Sequence, residues 1–239
     1  GAVMDFPRGG SGAIIDALVR AIEKCDGCSV HRSTPVESVM VEDGRAVGVR
    51  LGGRRGVVRA ARAVVSGADL HATFGLVPEG AHAGLDEERA RLLGAPNLLG
   101  ADTGGAGVPL CKSFMHLHLG VRADTFPENL PPQWTIVNSW DVPIDAPGNV
   151  IVVSVPSLLD PSLAPPGHHV IHAYTAGNEP YDVWERFASE GGKRTAADDD
   201  AYEALKAERA APMWEAIERR VPRVREGCVV TQVGTPLTH

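Results

Sequence analysis

The sequence predicts a mixed α/β (α+β) fold with antiparallel strands, and three observations support this prediction. Apolar residues recur at helical spacing over residues 13–24, and they alternate with polar residues between turn signals over residues 36–59. Further strand-like runs between residues 113 and 175 precede a long helical segment at 201–221. A chain of 239 residues can bury a core sufficient for one large domain or two small ones.

The first predicted element is a helix over residues 13–24, which follows a glycine-rich loop at 7–12. Ile14, Leu18 and Ile22 are spaced four residues apart, as on the inner face of a half-buried helix. The loop sequence GGSG matches neither the dinucleotide-binding pattern GxGxxG nor the P-loop pattern. Taken alone, the loop therefore predicts a tight turn rather than a phosphate site.

A three-stranded antiparallel meander is predicted over residues 36–59, because Asp-Gly and Gly-Gly turn signals separate its alternating apolar runs. The AVVS segment at 63–66 is predicted as a further, buried strand. The remaining predicted strands lie at 113–121, 134–139, 150–156, 168–175 and 228–233, and the remaining helices at 68–76, 86–93, 179–189 and 201–221. Pro212 is expected to kink or divide the last helix, because proline cannot donate the helical hydrogen bond.

The charge balance argues against one class of partner. The chain has 23 Lys and Arg against 30 Asp and Glu, a formal net charge of −7, so no nucleic-acid partner is predicted. No apolar run approaches the roughly 20 residues that a membrane-spanning helix needs. No basic segment followed by an apolar one marks a secretory signal, and the protein is predicted not to be secreted.

The cysteines include one CxxC pair, Cys25 and Cys28. A redox CxxC pair normally lies at a helix N-terminus, whereas this pair follows the end of the first predicted helix. A zinc site would need two more ligands, and neither Cys111 nor Cys228 has a CxxC partner. The pattern favours packed thiols at a junction between a helix and a strand.

The histidines form a second candidate site. His116 and His118 are two residues apart in a predicted strand and point to one face, as do His168 and His172 in another strand. If the two strands were neighbours, they could offer three or four imidazoles to a metal ion. Their sequence neighbours are apolar and not acidic, which favours packed or hydrogen-bonded histidines, and no metal site is predicted.

Several segments resemble one family of flavoproteins. FPRGGSGAIIDAL at 6–18 resembles the returning glycine-rich segment of FAD-dependent amine-oxidase-like proteins, in particular the carotenoid isomerase and phytoene desaturase branch. VESV at 36–39 with GRAVGV at 44–49, and AVVSGAD at 63–69, are similar to further segments of that family. Three later segments also resemble the carotenoid isomerases, at 112–120, 164–175 and 233–239.

The resemblance implies a domain organisation and a set of contacts. It implies a partial FAD-binding domain with the antiparallel meander at 1–69, a mixed-sheet substrate domain covered by helices at 70–227, and a strand at 228–239 that leads back toward the cofactor domain. The residues it implies near FAD are Pro7, Gly9, Gly10, Val36, Ser66, Gly67, Ala68 and Asp69. The residues it implies near the substrate are His116, His118 and His172.

Two functions are compatible with this resemblance. In the first, the chain is a portion of an FAD-dependent carotenoid cis–trans isomerase or desaturase acting on an apolar polyene, in a plastid or at the cytoplasmic or membrane periphery of a bacterium. In the second, it is a non-catalytic structural or interaction subunit derived from that family and attached to a photosynthetic membrane complex. The sequence contains no GxGxxG unit, so we expect that the chain by itself does not hold FAD tightly. The expected partners are the remaining segments of the flavoprotein or partner subunits.

Overall fold

The structure, a computed structural model, describes residues 6–93, 112–188 and 195–238. Contacts divide the chain into two units, one of residues 21–110 and one of residues 1–20 with 111–239. Each unit contains one antiparallel sheet, which confirms the mixed α/β fold class. The assignment of residues 1–69 to a cofactor domain and of 70–227 to a substrate domain stays a prediction.

The unit of residues 21–110 contains the predicted meander. Its strands are β1 (Val36–Glu42), β2 (Arg45–Leu51) and β3 (Val57–Arg59), in the order β1-β2-β3. Asp43 and Gly44 join β1 to β2 with φ of 49° and 72°, the positive values that a tight hairpin turn requires. Two helices follow, α2 (Leu70–Leu76) and α3 (Ala83–Leu93).

The first helix, α1 (Gly12–Glu23), is present, but the expectation that it is half-buried was wrong. Ile14 is 52% exposed and Leu18 57% exposed, and no residue of α1 is buried. The periodic pattern correctly predicts a helix here. No described part of the chain buries its apolar face, and periodicity alone carries no information about the surface that would do so.

Two further local predictions were wrong. Residues 63–66 do not form a strand, and Val65 is 90% exposed, because no described strand pairs with this segment. Cys25 and Cys28 are exposed rather than packed, in the turn that follows α1. Cys111 lies outside the described residues.

The other unit is built on a five-stranded antiparallel sheet. Its strands are β4 (His116–Arg122), β5 (Gln133–Val137), β6 (Val150–Ser154), β7 (His168–Thr175) and β8 (Cys228–Gly234). Their order in the sheet is β5-β6-β7-β4-β8, so β4 lies between two strands that come much later in the chain.

One face of this sheet packs against helices. The helices are α4 (Asp182–Glu185), α5 (Ala196–Glu218) and α6 (Val224–Gly227). The core between sheet and helices includes Leu117, Leu119, Ile171, Ala173, Trp184, Met213 and Ile217. Pro212 does not divide α5. Of the helix predicted at 179–189, the described residues 179–188 contain the single helical turn α4. Within the described ranges, no helix has the length and apolar content needed to cross a bilayer.

Candidate functional site

Three histidines converge on the face of the five-stranded sheet opposite its core. β4 and β7 are antiparallel neighbours, and their register places His118 directly opposite His172. His116 lies on the same face, two residues before His118, because successive side chains of a strand alternate between faces. His168 shares this face but lies opposite Arg122, outside the cluster. The structure thus brings together all three predicted substrate residues.

The three imidazole rings are nearly parallel. The ring centroids of His118 and His172 are 4.4 Å apart with 1° between their planes, and those of His116 and His172 are 5.2 Å apart with 8°. Nδ1 of His116 and Nε2 of His172 are 2.9 Å apart, a hydrogen bond in which one of the two nitrogens carries the proton. One ring nitrogen from each histidine lies within 4.8 Å of the other two.

Two further rings extend the cluster. The Tyr174 ring centroid lies 5.3 Å from that of His172, and the Phe114 centroid lies 5.9 Å from that of His116. We call these five side chains, of Phe114, His116, His118, His172 and Tyr174, the aromatic platform. The sequence prediction missed Phe114 and Tyr174, although both share the alternation that placed the histidines on one face.

Partial burial keeps the centre of the platform uncharged. Burial, reinforced by the nearby His118 and His116, lowers the pKa of His172 from 6.5 to about 4. Burial also lowers the pKa of His118. At neutral pH His172 is therefore a neutral imidazole, which stacks and accepts hydrogen bonds without the cost of burying a charge.

A cleft of about 600 Å³ opens beside His118. Its lining includes Glu203 and Lys206 of α5 and Gln232 of β8, which is the register partner of His118 on that strand. Lys206 Nζ donates to Glu203 Oε1 at 3.0 Å, so the two charges of the lining pair with each other. The sequence prediction found no acidic residue near the histidines because Glu203 comes from a distant segment of the chain.

The backbone amides of the loop at 7–12, which was predicted to lie near the cofactor, form hydrogen bonds within the chain. Gly9 and Gly10 have φ of 84° and 74°, and the Gly10 amide donates to the Pro7 carbonyl at 2.9 Å. The Gly9 amide donates to the Asp160 carboxylate at 2.7 Å. Hydrogen bonds from Ser162 and from this amide lower the pKa of the Asp160 carboxyl. The loop is thus a tight turn bound to an anionic side chain.

The other predicted cofactor residues lie in the unit of residues 21–110. Asp69 caps α2 by accepting from the Ala72 amide at 2.9 Å, and the Ser66 hydroxyl lies 2.7 Å from that of Thr73. Gly67 and Ala68 lie in the exposed, irregular segment between Ser66 and Asp69. Val36 begins β1, an edge strand, and is 37% exposed.

These residues do not fit the phosphates of FAD as they stand. A glycine-rich turn before a helix binds a phosphate through backbone amides that have no other partner. The Gly9 amide instead donates to the Asp160 carboxylate, whose negative charge would repel a phosphate. The side chains of Ser66 and Asp69 are hydrogen-bonded to residues of α2, a helix of only seven residues. Their assignment to a cofactor therefore stays a prediction.

Comparison with known proteins identifies relatives along the whole chain. The chain is 27% identical over 237 residues to the chloroplastic prolycopene isomerase of Arabidopsis thaliana. The aligned region covers 99% of this chain and 35% of the plant protein. The identity to the prolycopene isomerase of Daucus carota is 28% over 238 residues, 99% of this chain and 34% of that protein. The chain is homologous to one segment of the prolycopene isomerases. The predicted resemblance to carotenoid isomerases is thereby confirmed.

The chain spans about a third of the length of the prolycopene isomerases it matches. No protein-family model matches the chain. Its fold is similar to that of an oxidoreductase from Methanosarcina mazei, with a TM-score of 0.53 and 18% identity over 95% of this chain and 42% of that protein. This likeness supports the fold alone.

Proposed function

We propose that this chain is a portion of an FAD-dependent carotenoid cis–trans isomerase or desaturase whose substrate is a conjugated polyene. The similarity to prolycopene isomerases over 99% of the chain carries the proposal. Because the chain spans only about a third of these relatives, its proposed partners are the remaining segments of the flavoprotein or partner subunits. The plant relatives are chloroplastic, and we propose a plastid, or the cytoplasmic or membrane periphery of a bacterium, as the location.

The aromatic platform is the proposed contact surface for the polyene. A conjugated polyene is flat and polarisable, and it can lie against aromatic and imidazole rings. The parallel rings of His116, His118 and His172 present such a surface on the side of the sheet that the core does not use. The neutral state of His172 favours this contact, because an apolar substrate would desolvate a charged imidazole.

The cofactor would supply electron or hydride transfer to such an enzyme. The candidate residues of this chain do not fit the phosphates, so we propose that other segments hold the pyrophosphate. The contribution assigned to this chain is the positioning of the polyene.

The first test is the intact mass and flavin content of the protein isolated from its native source. We expect a mass well above 25.2 kDa and stoichiometric FAD. We also expect the protein to convert a cis-polyene to its trans isomer or to a desaturated product, and chromatography measures this conversion. A mass near 25.2 kDa with neither flavin nor polyene turnover would overturn the proposal. It would favour the alternative of a non-catalytic interaction subunit.

Variants of the same protein test the platform. His118→Phe keeps a flat ring at an exposed position, and we expect it to retain most of the turnover. His118→Ala removes the ring, and we expect a loss of about tenfold, the size of a single ring-stacking contact. His168→Ala, on the same face but outside the platform, is the control. Equal losses in His118→Phe and His118→Ala would show that stacking is not the role of this side chain.

A further inference from the structure

The three histidines of the platform also have the arrangement of metal ligands. His118 and His172 are cross-strand partners on β4 and β7, and the hydrogen bond between His116 and His172 joins the third imidazole to them. The backbones of two paired strands hold all three positions, which makes the set rigid at the level of the main chain. His118 is exposed, whereas His116 and His172 are half-buried, so an ion could reach the cluster from the side of His118.

The distances between the ring nitrogens suit a small ion. Zn–N bonds of about 2.0–2.1 Å in a tetrahedral site place ligand nitrogens roughly 3.3 Å apart. One nitrogen from each of the three histidines already lies within 4.8 Å of the other two, and one pair lies at 2.9 Å. Binding would replace the hydrogen bond between His116 and His172, and rotation of the three side chains about their side-chain torsions would aim one nitrogen of each at the ion without moving the sheet.

The donor set selects the class of ion. Three imidazoles suit Zn²⁺, Cu²⁺ and Ni²⁺, whereas Mg²⁺ and Ca²⁺ prefer oxygen ligands. The carboxylate of Glu203 in the adjoining cleft accepts a hydrogen bond from Lys206, so the imidazoles are the donor set considered for the ion. Three protein ligands leave one tetrahedral position for water or a small ligand, as in zinc sites that are not purely structural.

We propose that His116, His118 and His172 bind a divalent transition-metal ion of the Zn²⁺ class. The proposal stands on the geometry of these residues and does not rest on the proposed polyene function. A bound ion would turn the imidazoles out of their stacked arrangement, so the ion and the polyene are alternative occupants of this cluster. The test uses neither polyene nor flavin, so failure of this proposal is distinguishable from failure of the proposed function.

The experiment is a titration of the chelator-treated protein, without an affinity tag, with Zn²⁺, and then with Co²⁺ as a spectroscopic probe. Cys25→Ser and Cys28→Ser form the background for every measurement, because the exposed CxxC thiols could bind zinc themselves. His118→Gln and His172→Gln each remove one ligand. His168→Gln is the matched control, since it changes a histidine on the same strand and face as His172 but outside the cluster.

We expect one Zn²⁺ per chain, bound in the micromolar range or tighter, and intense visible absorption by the Co²⁺ form, as for a tetrahedral site. His118→Gln and His172→Gln should each weaken the affinity more than about tenfold, since loss of even an outer partner of a metal ligand costs that much. His168→Gln should bind like the parent. If the His172→Gln variant does not fold, the Zn²⁺ affinity of the His118→Gln variant tests the proposal, because His118 is exposed and its substitution does not disturb the core. Absence of binding by the parent, or binding that His118→Gln leaves unchanged, would overturn the proposal.

Discussion

At the scale of single residues, the platform shows how neighbours change the chemistry of a side chain. His172 lies between His118 on the adjacent strand and His116 diagonally across from it. Desolvation and these two imidazoles all disfavour its charged form, which lowers its pKa to about 4. A histidine in the same type of strand with a solvated face would carry charge at a mildly acidic pH.

The lowered pKa of His172 predicts a dependence of stability on pH. Between pH 6.5, the ordinary value, and about 4, the unfolded chain binds more protons at this residue than the folded chain does. The free energy of unfolding is therefore expected to fall as the pH decreases from 6.5 toward 4. Denaturant titrations at these two pH values, in the presence of a chelator, measure the decrease.

His172→Gln should reduce this pH-dependent loss, because the variant has no imidazole to protonate. The matched control is His31→Gln, at an exposed position before β1, which should keep the loss of the parent protein. The same loss of stability in His172→Gln and in the parent would contradict the prediction.

At the scale of elements, the meander depends on one close approach between strands. Gly48 of β2 lies opposite Arg59 of β3, and a Cβ atom added at Gly48 would lie 2.3 Å from the carbonyl oxygen of Val58. That oxygen belongs to the backbone and cannot rotate away. The absence of a side chain at Gly48 is therefore what allows β3 to pair with β2.

Gly48→Ala is expected to lower the free energy of unfolding by about 1–3 kcal/mol, because β3 must shift to remove the overlap. Denaturant unfolding measures the change. Gly75→Ala in α2 is the control, since a Cβ atom there meets no neighbour within 4 Å and alanine favours a helix. A Gly48→Ala protein as stable as the Gly75→Ala protein would show that the strands do not approach as closely as described.

At the scale of the whole molecule, stability is concentrated where the apolar face of an element is covered. Leu117 of β4 is fully buried in the core beneath the five-stranded sheet, whereas Leu18 of α1 is 57% exposed. The two residues are equally apolar, and only the surrounding structure distinguishes them. The apolar face of α1 therefore contributes little to the stability of the chain as described.

The same substitution at these two positions should have unequal effects. Leu117→Ala is expected to cost about 2–5 kcal/mol, through lost burial and the cavity that it leaves. Leu18→Ala should change the free energy of unfolding by no more than about 0.5 kcal/mol. Thermal and denaturant unfolding of both variants check this difference. A large cost at Leu18 would mean that α1 is covered in solution.

Most elements of the fold could be predicted from the sequence because their signals are local. The Asp43–Gly44 turn, the alternation in β1 and β2 and the spacing in α1 each involve residues within a few positions of one another. The prediction of a strand at 63–66 was wrong because a strand also depends on a partner that is distant in the sequence. A short apolar run becomes a strand only if another strand pairs with it, and no described strand does so.

The candidate site was only half-determined by the sequence. Alternation placed His116 and His118 on one face of a strand, and His168 and His172 on one face of another. Only the pairing of β7 with β4, and its register, bring His118 opposite His172 and leave His168 opposite Arg122, outside the cluster. The same pairing adds the rings of Phe114 and Tyr174. Which strands pair, and which apolar faces are buried, depends on contacts between segments distant in the chain. Local periodicity does not encode those contacts.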